Sequence, residues 1–340
     1  MSAPALRLVR CDDEPARPDG LSAAMTIPEF WEAHYRPHLE AGGSQPSTIE
    51  RYGTSVSHWG RLVGPVSLAQ VSTDHGRHYI VELSARNLSP NTIFGHRNTI
   101  YRIVHTAGEG SRTSPVPPVG LIGPVWFPPV RCVRRTPRAW ELSEIGAWLD
   151  ALAAVTQPRR LADWGIEPAD WWRSLVLFGY NTGLRLNTIL ALRWDWVDGS
   201  MVDIPASAIK GGHADERKPL NRFARAAARA IRTDHPRLFP WPCSESRLDR
   251  LKRKHFDLAG ISDARRRSVN AGKFFHGLRT TCITELSVID PHLASLLHGE
   301  RTMTARHYKD LARLANAMEQ MPQPQQTNPY PAAERQLMLF

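Results

Sequence analysis

The stretch from Ala107 to Arg138 restricts what this chain can fold into more than any other. It carries Pro115, Pro117, Pro118, Pro124, Pro128, Pro129 and Pro137 with interspersed glycines. Proline fixes φ and has no N–H to donate, so neither a helix nor a central strand continues through such a run. Residues 108–137 therefore read as an extended, semi-rigid linker. A chain of 340 residues then divides into one domain on each side of it.

Before the linker, residues 22–107 read as a bundle of about four helices. Ile27, Phe30, Trp31, Tyr35 and Leu39 share one face of the first. Ser47-Thr48-Ile49-Glu50 has the form of a capping box opening a second, which carries Ile49, Tyr52, Val56 and Trp59 and stops at Gly64-Pro65. A third is expected around Asp74 to Ala85, and Ser89-Pro90 opens a fourth with Ile93, Ile100 and Val104.

Residues 138–320 show helical periodicity over Glu141 to Leu152, Asp170 to Tyr180, onward through Leu192, Phe223 to Ile231, His276 to Leu286 and Thr304 to Met318. Asp198-Gly199, between WDWV and MVDIP, is a hairpin signal. The expected fold class is mainly α with a small β-sheet. Residues 1–21 and 321–340 read as flexible tails, although the final QLMLF is apolar.

Charge narrows the partner. With 43 Lys+Arg against 33 Asp+Glu, a formal net charge of +10, the long-range field favours a polyanion over an acidic metabolite. No run of about 18 apolar residues occurs, and the first residues carry Asp12, Asp13 and Glu14 with prolines rather than an apolar core. A cytoplasmic protein with no membrane partner is expected. Cys11, Cys132, Cys243 and Cys282 are scattered without a C-x-x-C pair, so no zinc site or disulfide framework is expected. No cofactor is expected either.

Three separated stretches of the second domain carry groups suited to a phosphate. In NTGLRLNTILALRWDWVD, Gly183 ends one helix and Arg185 sits near the start of the next, where a guanidinium could grip phosphate oxygens bidentately. In FFHGLRTTCITEL, His276 and Arg279 are i and i+3 on one helix and can reach one ligand. In SLLHGERTMTARHYKD, His298 precedes Tyr308 by ten residues. Tyr308, Leu311, Leu314 and Met318 recur at the spacing of an apolar helix face, so Tyr308 alone also fits a core position. As a nucleophile, a tyrosine needs nearby cations or a base to accept its proton.

In order and spacing these stretches resemble the tyrosine recombinase (phage integrase) family. Thr182-Gly183-Leu184-Arg185, His276-Gly277-Leu278-Arg279, Leu296-Leu297-His298 and Tyr308 stand where that family has T-G-L-R, H-x-L-R, L-G-H and its tyrosine. LALRWDWVD and RRTPRAWELSEIGAWL resemble the flanking family sequence, and STIERY with SPNTIFGHRNTI resembles helix starts of its core-binding domain. The resemblance spans roughly residues 22 to 320. It implies an N-terminal helical core-binding (SAM-like) bundle followed by an α+β catalytic domain, closing around duplex DNA.

The resemblance also implies roles. Arg185 and Arg279 would clamp the scissile phosphate, Lys210 would protonate the leaving 5′ oxygen, and His276 and His298 would hydrogen-bond the phosphate. His276 would also assist the proton of Tyr308, which would attack to give a 3′-phosphotyrosyl intermediate and a free 5′-hydroxyl without metal or ATP. A homotetramer on two DNA sites is implied, with the C-terminal segment docking on a neighbour.

Two departures stand out. Thr188 occupies the position, three after Arg185, where the family usually has an acidic residue. Leu297-His298-Gly299 stands where L-G-H is usual, so the third-box position falls to His298 or to Gly299, and Lys218 in ERKPL competes with Lys210 as the acid. These departures leave open a DNA-binding protein of the same fold with impaired chemistry, while a type IB topoisomerase would share the chemistry. The Arg265-Arg266-Arg267 run and the Lys252 to Lys254 cluster read as a solvated basic face, with contact to a phosphate backbone as the alternative.

Overall fold

The computed structural model describes residues 20–110, 114–132, 138–209, 211, 214–269, 274–298 and 311–326. The chain forms two compact units, Met1–Arg135 and Thr136–Phe340.

In the first unit, α1 (Ile27–Phe30) continues through a π-helical turn, Trp31–Tyr35, into α2 (Arg36–Ala41). A capping box joins Thr26 and Glu29 at its start: the Glu29 carboxylate accepts from the Thr26 amide at 2.7 Å and Thr26 Oγ1 accepts from the Glu29 amide at 3.3 Å. Helix α3 (Pro46–Leu62) starts earlier than the Ser47 box predicts, with Gln45 as N-cap. Pro46, pre-set in φ and lacking the amide the first turn cannot use, takes the first helical position. Helices α4 (Thr73–Ala85) and α5 (Pro90–Ala107) complete the bundle, the latter capped by Ser89 as expected. Trp59, Tyr79, Ile100 and Ile103 lie wholly inside.

The proline-rich stretch is extended, but it is not a free spacer. Phe127 is fully buried and stacks on Trp59 with ring centroids 5.9 Å apart. Arg97 donates to the carbonyl oxygens of Phe127 and Pro128 at 2.5 and 3.1 Å. Ser114 Oγ lies 2.8 Å from Thr106 Oγ1, and Val116 is buried beside them. The prolines forbid a helix, while the apolar residues between them still gain by leaving water.

In the second unit, α7 (Pro168–Thr182) is the central helix, with Trp171, Trp172, Leu175, Val176, Phe178 and Tyr180 all fully buried. Around it stand α6 (Leu142–Leu152), α9 (Arg222–Ala230), α10 (Glu245–Leu258), α12 (Phe274–Ile289), α13 (Pro291–His298) and α14 (Leu311–Glu319). Short helices α8 (Leu186–Ala191) and α11 (Asp263–Ser268) fill the connections. The expected hairpin is present as β1 (Val197–Asp198) and β2 (Met201–Ile204), with Gly199 at φ 58° in the turn. Strand β3 (Glu216–Pro219) adds antiparallel to β2, giving a three-stranded sheet in the order β1-β2-β3.

Two further expectations are revised. The arginine run is not a solvated face. Arg265 is bound to Glu144 at 2.6 Å, and Arg266 is buried against Asp257 and Asp263 at 2.8 and 2.5 Å. Lys252 is buried too, paired with Asp249 at 2.5 Å, which leaves Arg250, Arg253, Lys254 and Arg267 as the exposed cations here. Nor is the tail free from its start. The Tyr180 hydroxyl donates to the Pro322 carbonyl at 2.5 Å, Gln323 bonds Asn181, and Arg173 donates to the Gln326 side chain at 2.6 Å. QLMLF lies outside the described residues.

Candidate active site

The turn between α7 and α8 builds one wall of the site. Gly183 follows the last residue of α7 at φ 59°, and its amide donates back to the Gly179 carbonyl. A side chain at this point would be strained twice. L-residues avoid the left-handed region, and a Cβ would stand 3.1 Å from Cys282 Sγ and 3.3 Å from a Leu297 methyl. Two residues on, Arg185 is the N-cap of α8 and is exposed, at the helix start where the sequence places it.

Helix α12 supplies the opposite wall. Leu278, Cys282 and Leu286 are buried, and Thr281 Oγ1 accepts from the Trp140 amide at 2.8 Å, fixing the helix against the start of the unit. Arg279 points inward and is buried; Nη1 donates to the Gly183 carbonyl and Nη2 lies 3.5 Å from the Leu297 carbonyl. His276, one turn earlier on the same helix, is exposed. Burial lowers the Arg279 pKa, as does the neighbouring Arg185 charge, while Cys282 and Glu216 oppose the shift. Cys282 is buried and its thiol is pushed up to about 12, so it is a neutral apolar wall and not a thiolate.

The sheet closes the site from a third side. Lys218 on β3 has a side chain only 7% exposed; it pairs with Glu216 at 3.1 Å, and its Nζ lies 3.5 Å from the same Leu297 carbonyl that Arg279 approaches. Thr188 on α8 is buried and donates to the Ala208 carbonyl at 3.2 Å, holding α8 to the chain between β2 and β3. Where an acidic residue was expected, this hydroxyl thus has a structural partner. Of the residues singled out from sequence, Arg185, Arg279 and Lys218 gather here with His276 on the adjoining helix turn. His298 ends α13, directly after Leu297. Lys210, Gly299 and Tyr308, and the side chain of His298, lie outside the described residues.

Sequence reasoning passed over Glu216. Strand alternation was the available signal: in Glu216-Arg217-Lys218 the first and third residues share a face, while Arg217 points away to Asp198 at 2.9 Å.

Cations from a helix turn, a helix interior and a strand thus stand together near main-chain carbonyls. Solved structures share this arrangement of elements. The fold is that of the tyrosine recombinases. Lambda integrase bound to DNA aligns with a TM-score of 0.58 at 15% identity, covering 84% of this chain and 96% of that one. A lambda integrase tetramer bound to a Holliday junction aligns at 0.56 and 15% identity, over 85% of this chain and 78% of that one. The Tn1549 transposon integrase in complex with circular intermediate DNA aligns at 0.53 and 12% identity, over 93% and 99%. No protein-family model matches the chain, and comparison with curated proteins finds no match. Among the described residues no helix is long and apolar enough to cross a membrane, and no cluster of His, Cys, Asp and Glu could hold a metal ion.

Proposed function

We infer that this chain is a site-specific DNA recombinase that cuts and rejoins strands through a phosphotyrosyl ester. The observation that carries the reading is the convergence of Arg279 on the Gly183 turn, two residues before Arg185, within a recombinase fold. Two guanidiniums at one phosphate neutralise the non-bridging oxygens as charge develops on them. The Tyr308 oxygen attacks phosphorus and forms the P–O bond, while the bond to the 5′ oxygen breaks. The tyrosine proton passes toward His276, and Lys210 supplies the proton that the leaving oxygen takes up. His298 holds a phosphate oxygen. A 5′-hydroxyl from a partner strand reverses these steps, and the ester conserves the bond energy.

Duplex DNA is the substrate in this reading, and a homotetramer on two sites is the acting form. The structures of lambda integrase on DNA and on a Holliday junction support both. The test is covalent capture. A pool of nicked duplexes with randomised centre sequence is incubated with the wild type and with Tyr308→Phe. A protein–DNA adduct formed by the first alone supports the reading. Binding without an adduct assigns the chain instead to non-cleaving DNA-binding proteins of this fold. Relaxation of a supercoiled plasmid lacking the captured sequence assigns it to topoisomerase-like cleavage.

A further inference from the structure

The Glu216–Lys218 pair, with Lys218 buried and Glu216 partly so, is an ionic feature that the roles above leave unused. Lys218 and Arg279 both approach the Leu297 carbonyl, each at 3.5 Å. That oxygen belongs to the last turn of α13, where carbonyls have no helical donor and carry the negative end of the helix dipole. His298 follows immediately. Arg185 lies close enough for its charge to act on Arg279. Two buried cations thus stand beside an exposed third, and like charges repel more strongly where water is excluded. Glu216 is a carboxylate that answers them, paired with Lys218 at 3.1 Å and acting on Arg279 as an attractive charge.

We propose that Glu216 and Lys218 are positioning residues: their pair neutralises the cation cluster and, through the Leu297 carbonyl, holds Arg279 and the end of α13 in the geometry that grips the scissile phosphate. In this role the pair acts through Arg279 and the residue after Leu297. A displacement of about 1 Å at a reacting centre can cost about 100-fold in rate. The role rests on the recombinase reading, but its test can be separated from it.

Adduct formation on a captured nicked duplex is timed under single-turnover conditions for wild type, E216Q, K218M and the double variant, with DNA affinity measured alongside. E216Q is expected to cleave about 100-fold more slowly at unchanged affinity. The alkaline limb of its pH–rate profile moves to lower pH, because a desolvated ammonium without its counter-ion sheds its proton more readily. The double variant recovers part of that loss, since Lys218 no longer stands as a buried ammonium deprived of Glu216. In a parallel experiment, NMR of isotope-labelled lysine follows the Lys218 ammonium directly, and its midpoint falls in E216Q. Wild-type rate with an unchanged alkaline limb in E216Q overturns the proposal. Should E216Q not fold, the double variant decides, and wild-type cleavage by it overturns the proposal equally. A wild type that forms no adduct, while the Lys218 midpoint still falls in E216Q, sinks the recombinase reading and leaves the pair standing.

Discussion

Arg279 on α12 donates through Nη1 to the carbonyl oxygen of Gly183, 96 residues earlier in the chain. One guanidinium therefore ties the turn that presents Arg185 to the helix that presents His276, while its other nitrogen faces the end of α13. The predicted outcome for Arg279→Lys is a fall in single-turnover cleavage of about 100- to 1,000-fold, the range seen when one aligned donor is lost. A lysine keeps the charge and loses the planar fork that bridges two acceptors. DNA binding, carried by many phosphate contacts, changes far less. A filter-binding assay beside the adduct assay separates the two.

Gly183→Ala tests the turn itself. The residue sits at φ 59°, with Cys282 Sγ and Leu297 Cδ2 against the place a methyl would occupy. Gly199→Ala is the control, with nearly the same φ of 58° and open space around it. Left-handed strain alone costs about 1–2 kcal/mol. Gly183→Ala should exceed the Gly199 variant by about 1–3 kcal/mol, the usual cost of overpacking. Denaturant unfolding of both variants reads the difference, and equal losses would show that Cys282 and Leu297 simply move aside.

How much of this could be read from the sequence follows from how local each signal is. Arg185 is marked by a glycine helix stop and a helix start within four residues, and Ser89-Pro90 marks α5 in the same local way. The approach of Lys218 to Leu297, 79 residues further on, is announced by no nearby pattern. Phe127 shows the same limit. Prolines correctly forbid helix around it, but only the three-dimensional bundle supplies Trp59 as its partner. Phe127→Ala should accordingly destabilise the first unit by about 3–5 kcal/mol, the cost of emptying a core aromatic site. A free linker would lose nothing, so urea melting of the variant discriminates directly.

Acid should weaken the second unit through His255. Its ring is buried edge-on against Trp172 at 4.5 Å, and Nδ1 has no hydrogen-bond partner among the described residues. Desolvation lowers its pKa from 6.5 to about 4. The folded protein therefore binds this proton less readily than the unfolded chain. The stability it contributes is complete above pH 6.5 and is lost as pH falls toward 4. The full loss is roughly 3 kcal/mol at about 1.4 kcal/mol per pH unit. Unfolding free energies at pH 7 and pH 5 should differ in the wild type, and the difference should shrink in His255→Gln. An unchanged difference would place the acid-sensitive group elsewhere.

The contact between the tail and α6 makes the last prediction. Gly146 faces the backbone of Gln325 so closely that a Cβ would stand 2.0 Å from its carbonyl oxygen. That oxygen is main chain and cannot swing away as a side chain could. Gly146→Ala must therefore lift residues 322–326 or tilt α6, and lifting is the cheaper response. The segment is held by Tyr180, Asn181 and Arg173 through side-chain hydrogen bonds, each worth about 1 kcal/mol net. The helix, in contrast, buries Ile145, Trp148, Leu149 and Leu152, whose displacement would cost several times more. Amide exchange over residues 321–326 should speed up in Gly146→Ala while the α6 amides keep their protection. Tyr180→Phe, which removes one of the three anchors without touching α6, should speed the same amides to a smaller degree. Loss of protection in α6 with the tail still held would reverse the order of these two energies.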